Sequence, residues 1–133
     1  MQPQKILIRD VMTPAPVSIP HDFSLADAAE RMFEAKIRHL PVIEGGHLVG
    51  LVSERDLAVL SSIPSVDRSK VRVEQAMTSQ PHTCKPTDAL IDVVRGMVDH
   101  KQGSAVVMEN GDLVGIVTTI DALALLMNFL EAR

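Results

Sequence analysis

Leu25, Ala28, Ala29, Met32 and Phe33 recur at helical spacing, and Leu90, Val93, Val94, Met97 and Val98 repeat that apolar stripe 65 residues later. Each stripe predicts an amphipathic helix with one buried face. Ser24, with Asp27 three residues on, is a plausible cap for the first helix, and Thr87 or Asp88 serves the second. Before each helix a short segment alternates weakly between prolines, Val17-Ser18-Ile19 and His82-Thr83-Cys84, and reads as a brief strand or extended arm. After each helix a β-hairpin is expected. His39–Ile43 and Leu48–Ser53 flank Glu44-Gly45-Gly46-His47; Ala105–Met108 and Leu113–Thr118 flank Glu109-Asn110-Gly111-Asp112. Asn-Gly is a strong hairpin signal because both residues tolerate positive φ. A second helix follows at once, Glu54–Leu60 and Thr119–Leu130.

The repetition is exact in length. Met12–Asp56 set over Met77–Asp121 gives 15 identities in 45 positions, where unrelated segments would give about 3. The expected fold is mixed α+β: two pseudo-symmetric β-α-β-β-α repeats packed sheet to sheet as one compound domain. Its parts are an N-terminal segment (1–10), a first repeat (11–60), a linker (61–73) and a second repeat (74–133) that includes the C-terminal helix. Two like units face to face create a pseudo-symmetric cleft, a natural ligand site. The linker, with Pro64 and several polar residues, offers no chemistry of its own.

The final helix is apolar around most of its girth. Ile120, Leu123, Ala124, Met127 and Leu130 form one stripe, while Leu125, Leu126 and Phe129 make the other side apolar too. Such a helix needs cover on more than one side. A two-sided groove within the monomer is the plain reading. A homodimer contact through the second helix of each repeat, with Leu57, Val59 and Leu60 joining it, is the favoured one.

Composition narrows the function classes. A net charge of −4 gives no footprint for general nucleic-acid binding. Tyr and Trp are absent and only three Phe occur, so stacking platforms for single strands are missing. The lone Cys84 excludes an internal disulfide and fits a reducing cytoplasm. No stretch approaches a membrane span, and no signal-peptide layout is present, so a cytoplasmic location is expected. The five histidines show no metal-ligand spacing on a helix, and read as surface or turn residues; no metal is expected. Cys84 reads as a small buried residue.

The candidate chemistry lies in Gly50-Leu51-Val52-Ser53-Glu54-Arg55-Asp56, matched by Gly115-Ile116-Val117-Thr118-Thr119-Ile120-Asp121. The hydroxyl falls where a strand becomes a helix, and first-turn N–H groups there can receive an anion. The Asp three residues on can accept two hydrogen bonds from a vicinal diol. The Gly lets a flat ligand approach the strand. Ser-x-x-Asp is also a variant capping box, and the acidic start of the helix can be plain solvated surface. Two copies, each with the preceding Gly and apolar pair, favour a ligand.

With these motifs, Val11-Met12-Thr13-Pro14, Ala76-Met77-Thr78 and Arg38-His39-Leu40-Pro41-Val42, the chain resembles a tandem CBS-domain pair, the Bateman module, from Met12 to about Leu126. That resemblance implies binding of AMP, ADP, ATP or S-adenosylmethionine in clefts between repeats, with occupancy transmitted to a partner. It implies a ribose contact by the Asp, a phosphate contact by the Ser or Thr, and a base held against the first hairpin strand and the preceding arm. By position, the first site takes Ser18, Arg38, His39, Leu40, Pro41, Ser53, Arg55 and Asp56. The second takes Thr83, Gly103, Ser104, Ala105, Thr118, Thr119 and Asp121.

The copies differ: Ile120 replaces Arg55, and Val106 replaces Pro41. With Lys36, Arg38 and Arg55 near its phosphate end, the first site is the expected polyphosphate binder. The resulting expectation is a non-catalytic adenine-nucleotide sensor, regulating an unidentified protein or acting as a homodimer. The alternative is a structural dimerisation or docking module without ligand. No catalytic triad, metal cluster or Walker loop supports an enzyme.

Overall fold

A computed structural model describes residues 5–132. The elements run α1 (Ile8–Val11), β1 (Thr13–Pro14), β2 (Ile19–Pro20), α2 (Leu25–Ala35), β3 (His39–Glu44), β4 (His47–Ser53), α3 (Glu54–Ser61), a 3-10 turn (Val73–Gln75), β5 (Thr78–Ser79), β6 (Thr83–Cys84), α4 (Leu90–His100), β7 (Ser104–Glu109), β8 (Asp112–Thr118) and α5 (Thr119–Glu131). From β2 and from β6 onward each repeat has the expected β-α-β-β-α order, with a further two-residue strand, β1 or β5, ahead of it. Gly45, Gly46, Asn110 and Gly111 all have positive φ, from 53° to 85°, as two-residue hairpin turns require.

The chain divides into two compact units that cut across the repeats. One is Val17–Pro81; the other joins the segment ending at Pro16 to the part beginning at His82. The unit 17–81 holds a sheet ordered β2-β3-β4-β5, and the other unit holds β1-β8-β7-β6. The β2–β3 and β6–β7 pairs are parallel and the hairpins antiparallel, with β5 added antiparallel to β4 and β1 to β8. The segment opening each repeat is thus exchanged: β1 pairs with the second hairpin and β5 with the first.

The exchange reaches further upstream than the 45-residue match. Ile6 and Ile8 lie in the core with Cys84, Leu90, Val93, Met97, Ala105, Val107 and Val117. Val73 lies in the core with Ile19, Leu25, Ala28, Met32, Leu40, Val42, Val52 and Leu57, with Val66 and Val71 packed against it. The backbone repeats the relationship, because Leu25 N–H donates to Val71 O and Leu90 N–H donates to Ile6 O, both at 2.9 Å. The linker's last residues and the N-terminal segment therefore close the N-termini of α2 and α4, satisfying amides that a helix start leaves free.

Three expectations are corrected. Phe33 and Val98, assigned to the buried stripes, are 85% and 68% exposed. At 100° per residue they sit about 80° from Leu25 and Leu90, on the rim of the buried arc. The cap of α4 is neither Thr87 nor Asp88: Ala89 holds the position and its methyl group accepts no hydrogen bond, while Asp88 accepts the Lys85 N–H at 2.8 Å. Ser24 and Asp27 do form the reciprocal box, at 3.1 Å each way. Finally, α5 finds no two-sided groove within its own unit. Leu125 and Phe129 pack on the core, whereas Ile120, Leu123, Leu126, Met127 and Leu130 are 50–61% exposed.

Candidate functional site

The end of β4 and the start of α3 form one junction. Ser53 Oγ accepts the Asp56 N–H at 3.1 Å, and Asp56 Oδ2 accepts the Ser53 N–H at 2.9 Å. The Glu54 N–H donates to Arg38 O at 2.8 Å, and His39 stands opposite Ser53 in the β3–β4 register. Arg38, His39, Ser53, Arg55 and Asp56 are thus gathered at one end of the 17–81 sheet. Asp56 is half-buried; Arg38 and Arg55 are exposed.

The same junction recurs in the other unit. Asp121 Oδ2 accepts the Thr118 N–H at 2.8 Å, Thr119 N–H donates to Gly103 O at 3.1 Å, and Ser104 pairs with Thr118 in register. Here the hydroxyl behaves differently. Thr118 Oγ1 donates to Asp121 Oδ2 at 3.3 Å and makes no cap bond to the helix backbone. In both junctions Oδ1 of the aspartate receives no hydrogen bond from the described residues.

The Ser53/Asp56 junction is therefore a full capping box, the plainer of the two sequence readings, and the Thr118/Asp121 junction keeps only its aspartate half. That tempers the anion-site argument for α3, whose Glu54 and Asp56 amides are already engaged. What stays available is one carboxylate oxygen per junction and, in the first, two guanidinium groups. His39 is held below its ordinary pKa chiefly by burial, with Arg38 adding to the drop and Asp56 opposing it. A neutral imidazole near Arg38 and Asp56 can offer both a donor and an acceptor.

The remaining candidates fall into two groups. Leu40 and Ala105 point into the cores of their own units, so only their backbone can meet a ligand. Pro41 and Ser104 are buried as well. Ser18 and Thr83 sit on the arms at the β2 and β6 strands, Thr83 exposed and Ser18 half-buried. Arg31, absent from the sequence reading, donates to Ser18 O at 2.6 Å and lies over the Phe23 ring at 5.0 Å. Its counterpart Gly96 leaves room for the His82 ring instead. The Pro41/Val106 difference also gains a cause: Val106 N–H donates to His82 O at 2.8 Å, a bond that Pro41 has no N–H to make.

One role is reassigned. Gly50 and Gly115 do not open the strand to a ligand. An added Cβ at Gly50 would strike Met77 and come within 2.9 Å of Thr78 O; at Gly115 it would meet Met12 Sδ at 2.5 Å and Thr13 O at 3.1 Å. The glycines admit the exchanged arms.

Comparison with known proteins gives a consistent picture. The model of the CBS domain family matches residues 8–62 and 73–128. The CBS-domain pair of protein MJ0100, solved with 5′-methylthioadenosine and S-adenosyl-L-methionine, is 25% identical, with a TM-score of 0.81 over 92% of this chain and 97% of that one. CBSX2 in complex with AMP is 28% identical, with a TM-score of 0.80 over the same shares. The homoserine O-acetyltransferase of Methanosphaera stadtmanae is 29% identical over 119 residues, 86% of this chain; the chain spans 23% of that enzyme's length. Among the described residues no helix is long and apolar enough to cross a membrane.

Proposed function

The chain belongs to the CBS-domain family, with two CBS domains in tandem; from that premise we propose that it is a non-catalytic regulatory module that binds an adenosyl ligand at its strand-to-helix junctions. The observation that carries this reading is the duplicated aspartate. Asp56 and Asp121 each spend Oδ2 on the helix cap and keep Oδ1 for a second acceptor role, as a ribose diol requires. Neighbours solved with AMP, or with S-adenosyl-L-methionine and methylthioadenosine, support the ligand class. AMP, ADP, ATP and S-adenosylmethionine are the candidates.

Arg38 and Arg55 flank Asp56, whereas Gly103 and Ile120 hold the matching places beside Asp121. The junction at Asp56 is therefore the one for polyphosphate, because two guanidiniums can grip phosphate oxygens. Isothermal titration with AMP, ADP, ATP and S-adenosylmethionine tests the reading. ATP affinity should fall about tenfold in Arg55→Ala, and much less in Ile120→Ala. Absence of binding by all four ligands would defeat it.

The exposed stripe of α5, with Val59 of α3, supports a homodimer through the second helices. Occupancy would then bias a monomer–dimer equilibrium or a contact with a regulated protein, in a cytoplasmic setting. The same stripe supports the second reading, a dimerisation or docking module without ligand. Sedimentation with and without ligand separates the two: coupled binding shifts the subunit equilibrium, and pure docking does not.

A further inference from the structure

We propose that His21, Glu44 and Glu74 form a site for one divalent transition-metal ion of the zinc class, independent of the strand-to-helix junctions. The three side chains come from three places in the 17–81 unit: just after β2, the end of β3, and the 3-10 turn where the linker meets the second repeat. Their donor atoms all lie within 4.8 Å of one another, the one such group of His, Cys, Asp or Glu among the described residues. His21 Nδ1 is 2.6 Å from Glu74 Oε2 and 3.4 Å from Glu44 Oε1. Donors on a tetrahedral metal, with bonds near 2.0–2.1 Å, stand about 3.3 Å apart. Entry of an ion thus needs donor separations to change by no more than about 1.5 Å, with the shortest contact opening from a hydrogen bond to a ligand edge.

The backbone fixes this arrangement. His21 N–H donates to Ile43 O at 2.9 Å, and Glu74 N–H donates to His21 O at 3.1 Å. Arg72 Nε, 3.5 Å from Glu74 Oε1, steadies the carboxylate from behind and leaves Oε2 to the site. An imidazole with two carboxylates suits zinc-class ions, with water completing the shell.

The other unit provides an internal comparison. The places of His21, Glu44 and Glu74 are taken there by Pro86, Glu109 and Arg9. The frame persists, since Arg9 N–H donates to Pro86 O at 3.0 Å. The fold therefore does not require the donor set; one unit is built equally well without it. Without an ion, His21 Nδ1 and Glu74 Oε2 are joined by a hydrogen bond of 2.6 Å, with one proton between them. An ion entering the site displaces that proton, so affinity falls on acidification.

The test uses the full chain, free of any histidine tag and stripped with chelator. Zn2+ is titrated against a zinc-indicator dye, and thermal unfolding is followed with ZnCl2 or MgCl2. The expected result is one Zn2+ per chain, a midpoint raised by several degrees with ZnCl2 and not MgCl2, and affinity lowered at least tenfold in His21→Gln and Glu74→Gln. Glu44→Gln, on the exposed rim of the site, should lower it in a chain that folds normally, and His47→Gln should leave it unchanged. Absence of a bound ion, or binding that survives His21→Gln and Glu44→Gln, would overturn the proposal and leave a proton-only clasp. Neither result bears on adenosyl binding, which Asp56 and Asp121 variants read separately.

Discussion

Met12 Sδ lies against the bare Cα of Gly115, so the start of the first repeat is seated on the hairpin of the second. Met77 and Gly50 repeat the arrangement. These four residues are identical pairs in the duplication, so each repeat supplies the thioether that the other repeat's glycine admits. Gly50→Ala should be the worse substitution, because Thr78 O is backbone and cannot swing aside as a thioether does. A loss of about 1–3 kcal/mol is expected, with Gly115→Ala costing less. Urea denaturation of both variants checks the order.

His21 and His39 should titrate in opposite directions. His21 is raised first by the Glu74 hydrogen bond, so its contribution to stability is full below the unfolded value of 6.5 and is lost as pH rises through the folded value. His39 is lowered first by burial, so its contribution is present above 6.5 and is lost as pH falls through its folded value. Two-dimensional NMR of the imidazoles should place His21 above His39. Glu74→Gln should lower His21 and leave His39 in place.

Cys84 should be inert in the native protein. It is buried on β6, and desolvation, helped by Asp88, pushes its thiol up to about 11. Ellman's reagent at pH 8 should react slowly with folded protein and at once in denaturant. Rapid native reaction would mean that the arm carrying β6 opens readily.

Asp56 serves a cap as well as the proposed ligand, so its variants must be chosen with that in view. Asp56→Ala removes the acceptor for the Ser53 N–H and should cost about 1 kcal/mol of stability. Asp56→Asn keeps an acceptor and should cost less. Thermal unfolding of the two without ligand measures the difference, and makes Asn the cleaner probe of binding.

Periodicity revealed the helices, hairpins and junction motifs, because each is a local pattern of burial or turn chemistry. The exchange of arms was hidden. Ile6/Val71 and Ile8/Val73 lie at the same 65-residue offset as the rest, yet they are similar rather than identical, and pairing with a distant hairpin leaves no local signature. The glycine role is hidden for the same reason: Gly50 and Gly115 answer to Met77 and Met12, 27 and 103 positions away. His21, Glu44 and Glu74 are likewise brought together only by the sheet and the 3-10 turn, so helix spacing could not find them. Arg31 belongs to no motif in the sequence, since its partner Ser18 O is a backbone atom.

Isothermal titration of AMP into wild type, Asp56→Asn, Asp121→Asn and the double variant tests most directly whether the aspartates hold an adenosyl ligand. The predicted result is saturable binding by the wild type, loss of one class of site in each single variant, and no binding by the folded double variant. Wild-type affinity persisting in the double variant, or no AMP binding by the wild type, would contradict it.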